Sequence, residues 1–135
     1  MQTRHKGLAF VREVKAILQG LGNETEGPGF LIKHIAKYIE GKKIIVPVQC
    51  HKDFFGVFDL ISWHPEHGFA FHQVSIDEKR QEKINALIEK GVNGNVWGRC
   101  HQGNRIMYRI YHVKNEKVTE GEIYYLSEFK KKEKK

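Results

Sequence analysis

Asp59 stands inside an apolar run, Phe54-Phe55-Gly56-Val57-Phe58-Asp59-Leu60-Ile61, while Gln73 and Ser75 stand inside a second, Phe69-Ala70-Phe71-His72-Gln73-Val74-Ser75-Ile76. Burying an unpaired carboxylate is expensive, and a divalent cation is a natural partner for one. Residues two apart in a strand share a face, so Gln73 and Ser75 point the same way. One acid on one strand and a polar pair on the next outline a metal-dependent phosphodiesterase site.

Those residues need a scaffold. Between the two runs lies Ser62-Trp63-His64-Pro65-Glu66-His67-Gly68, which predicts a β-hairpin closed by a turn of about seven residues. Residues 3–21 read as a first helix, with Leu8, Val11, Val14, Leu18 and Leu21 at helical spacing and Gly20 and Gly22 at its end. Glu13 lies at the edge of that apolar stripe and is placed to reach over the sheet. Residues 23–29 read as a loop, and 30–39 as either a short strand or a helical turn. Ile44-Ile45-Val46-Pro47-Val48 reads as a strand that Pro47 confines to an edge or interrupts. Residues 77–90 read as a second helix with Ile84, Leu87 and Ile88 buried, and Ser75 and Glu78 have capping-box spacing. Strands follow at 96–99, 105–113 and 121–126. From Phe129 onward the chain is a charge run, read as a disordered basic tail behind a domain of residues 1–128.

The chain has 135 residues and a net charge of +7. That length suits one domain with one substantial core, and the charge suits a polyanionic partner. No segment is long and apolar enough to span a bilayer, and the N-terminus has no signal-peptide pattern. With two cysteines, Cys50 and Cys100, a soluble cytoplasmic protein is expected, cellular or phage-encoded. The element order predicts an α/β single domain with a mixed central sheet flanked by helices.

Lys6-Gly7-Leu8-Ala9-Phe10-Val11-Arg12-Glu13, the amphipathic run to Gly22, Asp59-Leu60-Ile61 and Phe71-His72-Gln73-Val74-Ser75 together resemble the archaeal-type Holliday-junction resolvases of the PD-(D/E)XK nuclease superfamily. The resemblance covers roughly the first 110 residues. It implies a restriction-endonuclease-like fold and a Mg²⁺ or Mn²⁺ site built from Glu13, Asp59 and Gln73. It further implies resolution of four-way DNA junctions by hydrolysis to 5′-phosphate products, carried out by a homodimer. Met107 and Tyr111 are candidates for the dimer interface.

Two departures stand out. Gln73 replaces the family's Glu, which keeps a ligating oxygen but removes a charge. Ser75 replaces its Lys, and Lys79, Lys52 or Lys33 is left to take that role. The segment between the first helix and Asp59 is also longer than the family's. A catalytically degenerate DNA-binding module and a restriction- or ribonuclease-type cutter are the alternatives.

Plainer readings stand beside these. Asp59 can pair with a lysine, Gln73 can be a buried amide satisfied by backbone, Ser75 can cap the second helix, and Glu13 can be a solvated helix residue. Cys50-His51 and Cys100-His101, with His64, His67 and His112, invite a zinc reading, but adjacent residues on a strand face opposite sides. Arg4, Lys6, Lys52, Arg99, Arg105, Arg109 and the tail are candidate phosphate contacts. Trp63, Trp97, Phe54 and Phe55 are core by default, or platforms for unpaired bases if exposed.

Overall fold

The computed structural model describes residues 3–130. Helix α1 (Thr3–Gly20) leads through β1 (Glu24–Glu26) to a long pair, β2 (Gly29–Ile39) and β3 (Lys42–Lys52). Strands β4 (Leu60–His64) and β5 (Gly68–Ile76) come next, followed by a 3₁₀ turn (Asp77–Lys79) and α2 (Arg80–Lys90). Strands β6 (Gly94–Gln102), β7 (Arg105–Lys114) and β8 (Lys117–Tyr125) and the short α3 (Ser127–Lys130) complete the chain. Six strands form one mixed sheet in the order β1-β4-β5-β6-β7-β8. Within it β5 and β6 run parallel, joined by the α2 crossover, and the other neighbours are antiparallel. The domain is α/β, as the element order predicts.

The two helices cover opposite faces of this sheet. Val11, Val14, Ile17 and Leu18 of α1 pack on Leu60, Val74, Trp97, Tyr108 and Ile110. Ile84 and Leu87 of α2 pack on Phe58, Val96, Tyr111 and Val113. Alternation along β5, β6 and β7 supplies both faces at once. Val14 and Ile17 are completely buried, which stabilises by roughly 1.5–3 kcal/mol each. Helix α1 stops because Gly22 takes a left-handed φ of 96°. The Leu21, Gly22 and Asn23 N–H groups then turn back onto the last carbonyls, and the Asn23 side-chain amide also donates to Leu18 O at 3.0 Å.

Several expectations change. The hairpin turn is the three residues Pro65, Glu66 and His67, because strand pairing continues through His64 and Gly68. The apolar segment before Asp59 is a tight loop in which Phe54 bridges Phe58, and its φ reverses at Phe55 and Gly56. Ser75 does not cap the second helix. Its hydroxyl donates to Ile76 O at 2.9 Å, and neither the 3₁₀ turn nor α2 has a side-chain cap. Phe129 is no part of a loose tail: α3 lays its ring edge-on to Tyr124 at 5.9 Å, against the core. The rest of the tail, residues 131–135, lies outside the described residues. Met107 and Tyr111 are 7% and 5% exposed in this chain's own core, so they have little surface to offer a second copy.

Residues 30–39, open between strand and helix in the sequence, are strand. β2 and β3 pair along eleven positions from Gly29↔Lys52 to Ile39↔Lys42 and form a separate two-stranded sheet. Pro47 sits in β3 opposite His34, and among the described residues β3 pairs with β2 alone, an edge setting that tolerates proline. Eleven residues of strand extend about 36 Å, and every residue from 32 to 45 is exposed. This is an arm, not a core layer.

Candidate active site

Asp59 immediately precedes β4, where its backbone N–H donates to His72 O at 2.8 Å. Its carboxylate accepts the Val74 N–H at 2.8 Å, which ties it to β5 between Gln73 and Ser75. The residue is 6% exposed. Burial pushes its pKa up to about 7, against the opposing Val74 hydrogen bond; the charge of Asp53 and a hydrogen bond to Asp53 add to the rise, and Lys83 opposes it. Two carboxyl groups in hydrogen-bond contact must share a proton or a cation. Asp53 is held nearby because the 54–58 loop folds back, with Phe54 N–H donating to Phe58 O at 2.7 Å.

Val74 points into the α1 core, so Gln73 and Ser75 face the α2 side. The Gln73 Oε1 atom is buried and, among the described residues, has no hydrogen-bond partner. A buried amide oxygen left unsatisfied costs about 1–3 kcal/mol. Ser75 is 8% exposed, and its hydroxyl is committed to Ile76 O. Lys79 is exposed in the 3₁₀ turn. Lys83, four residues further along the same helical path, is half-buried and is the lysine whose charge reaches Asp59. Sequence reasoning passed over Lys83; the signal was its i+4 relation to Lys79 on the face of α2 that also carries Leu87.

Glu13 is elsewhere. On the α1 side it accepts the Tyr108 hydroxyl at 2.6 Å and the Arg99 Nε–H at 2.9 Å. Arg99 also lies over the Phe10 ring, 4.2 Å from its centroid. Burial works against the Arg99 cation, but the hydrogen bond and charge of Glu13 outweigh it and raise its pKa. Burial, reinforced by Glu13, likewise pushes the Tyr108 hydroxyl up. The structure therefore brings Asp59 and Gln73 together, adds Asp53 and Lys83, and puts Glu13 on the other face of the sheet in a pair with Arg99.

Of the candidate phosphate contacts, Lys52 is exposed at the base of the arm, Arg109 is exposed, and Arg105 is exposed with its guanidinium 3.7 Å from the Tyr125 ring centroid. The side chains of Arg4 and Lys6 lie outside the described residues. Trp97 is core at 1% exposure, whereas Phe55 is 68% exposed two residues from Asp53.

A second polar cluster sits under α1. The Trp97 Nε1–H donates to His72 Nδ1 at 3.0 Å, and Ser62 Oγ lies 2.8 Å from His72 Nε2. With Nδ1 accepting, the neutral ring carries its proton on Nε2 and donates it to Ser62. Burial, helped by the charge of His112, lowers the His72 pKa to about 3. His72 therefore has no lone pair with which to activate Ser62, and the pair is a structural bridge rather than a nucleophile and its base.

Comparison with protein-family models, with curated proteins and with solved structures finds no match to this chain.

Proposed function

We propose that the chain is a divalent-cation-dependent endonuclease acting on branched DNA, on a restriction-endonuclease-like arrangement of α1, β1, β4, β5, α2 and β6. The observation that carries this reading is the Asp59–Asp53 carboxyl pair on the side of the sheet where the buried Gln73 carbonyl has no hydrogen-bond partner among the described residues. Two carboxylates and an amide oxygen are hard donors that suit Mg²⁺ or Mn²⁺, and a cation there satisfies the buried oxygen while replacing the shared proton. Such an ion, when bound, supplies charge for the scissile phosphate and acidifies a water.

The protein's own groups do the rest. Asp59 takes its anionic form above pH about 7. Lys83 adds positive charge on the α2 side of Asp59, the role the resolvases give to the lysine that Ser75 replaces. The arm carries five lysines, Lys33, Lys37, Lys42, Lys43 and Lys52, against one acid, Glu40. A two-stranded ribbon is of a size to enter the major groove of a duplex. The exposed Phe55 is placed to stack on an unpaired base beside the carboxylates.

One observation favours a second reading, a binding module that has lost catalysis. Both Ser75 and Glu13, the positions where the resolvases carry a lysine and a metal ligand, are committed to internal partners. Incubation of a labelled four-way junction and a linear duplex with Mg²⁺ or Mn²⁺ separates the two. Symmetric nicks on the junction that vanish with Asp59→Asn support the nuclease. Binding to the junction with no cuts supports the module.

A further inference from the structure

At the far end of β4 from Asp59, the hairpin turn His64-Pro65-Glu66-His67 collects three potential metal ligands. The ligand atoms of His64, Glu66 and His67 lie within 4.8 Å of one another, the one such group of three or more His, Cys, Asp or Glu among the described residues. Five residues of strand separate it from Asp59, about 17 Å, so the two sites are distinct.

The turn is held in one shape. Register pairing of His64 with Gly68 fixes its base. The Glu66 backbone N–H donates to His64 Nδ1 at 3.0 Å. With Nδ1 accepting, the neutral ring carries its proton on Nε2, so an ion binds His64 by taking the Nδ1 lone pair in exchange for this hydrogen bond. The two imidazoles are stacked face to face, with centroids 4.6 Å apart and planes at 28°. Both rings line a cleft of about 460 Å³ that Ser62, Asn95, His112 and Glu122 also line.

We propose that His64, Glu66 and His67 bind one borderline divalent transition metal, Zn²⁺ in the first instance, beside this cleft. Two imidazoles and one carboxylate select such an ion over Mg²⁺ or Ca²⁺, which take oxygen-only sets. Three protein ligands leave the remaining coordination to water or to a donor group of a molecule in the cleft, the open-site pattern. Glu66 reaches the ion through its carboxylate. The cysteines are not needed.

The test is titration of metal-stripped full-length protein with ZnCl₂ by calorimetry, and with CoCl₂ by absorption. One equivalent is expected to bind, with tetrahedral or five-coordinate Co²⁺ d–d bands and no thiolate charge-transfer band. His67→Ala and His64→Ala are each expected to weaken binding by more than the roughly 10–100-fold that loss of an outer-sphere partner alone costs. Both ring positions are solvent-accessible, so these variants should fold; a circular-dichroism melt checks that. His34→Ala, on the arm, is expected to leave the affinity unchanged. Acidification releases the ion, because imidazole must be neutral to ligate. Zn²⁺ affinity unaltered in His67→Ala and His64→Ala overturns the proposal, as does a thiolate band in the Co²⁺ spectrum. DNA cleavage is not a readout here, so failure leaves the Asp59 reading untouched.

Discussion

Glu13 and Asp59 flank the same sheet on opposite faces, and their surroundings differ in kind. Glu13 meets a guanidinium and a phenol, each donating a hydrogen bond to its carboxylate. Asp59 meets one backbone N–H, a second carboxyl group and a more distant lysine. The first carboxylate has its charge balanced inside the protein, so it glues α1 to β6 and β7. The second shares its surroundings with another carboxyl group, and burial raises its pKa to about 7. A second carboxyl group close by, and not burial alone, is what makes Asp59 rather than Glu13 the candidate for a cation.

The largest effect that would sharpen this contrast is on cleavage. Asp59→Asn should lower the rate on a four-way junction by at least about 10²–10³-fold, the scale for removing one transition-state stabiliser, while junction binding persists. A wild-type rate would remove Asp59 from the chemistry. Glu13→Ala should do the reverse. It leaves the half-buried Arg99 and the fully buried Tyr108 without their acceptor, at a cost of about 2–4 kcal/mol in urea unfolding, with no change in Mn²⁺ affinity. An unchanged unfolding midpoint would refute its structural role.

A smaller effect appears in the pH dependence of stability. Asp59 has a raised pKa, so the folded state binds its proton more tightly than the unfolded chain does. The metal-free protein therefore loses stability as pH rises from about 4, the ordinary carboxyl value, to about 7. Asp59→Asn should flatten that slope. Comparing wild type with variant isolates it from His72, whose depressed pKa works the other way, removing stability as pH falls from about 6.5 toward 3. The same slope in both proteins would contradict the Asp59 assignment. Smallest is the arm. Replacing Lys42 and Lys43 by Gln should reduce the slope of log affinity against log salt by about 2, and an unaltered slope would place the phosphate contacts elsewhere.

How far the sequence revealed this differs by region. The stripe of Val11, Val14 and Leu18, the strands around His72 and Trp97, and the helix with Ile84 and Leu87 were legible, because each packs one face on a core and periodicity records that. The arm was not, because strands with no core beneath them mix lysine and isoleucine on both faces and show no clean alternation. Residues 54–58 read as strand from their apolar content, although the positive φ of Phe55 and Gly56 closes a loop there. Asp59 beside Gln73 was legible as two polar intrusions in adjacent strands. The fate of Glu13 was not, because Arg99 and Tyr108 lie 86 and 95 residues away in the chain. Nor was the role of Asp53, which depends on that loop folding back.

The most direct test uses Mn²⁺ as a paramagnetic probe in NMR of the full chain at substoichiometric ion. The account predicts that the amide signals of Gln73 and Val74 and those flanking Asp53 and Lys83 broaden first, while those around Glu13 and Arg99 stay sharp, and that Asp59→Asn abolishes the broadening. Broadening centred on Glu13, or an Asp59→Asn spectrum that broadens as the wild type does, would contradict it.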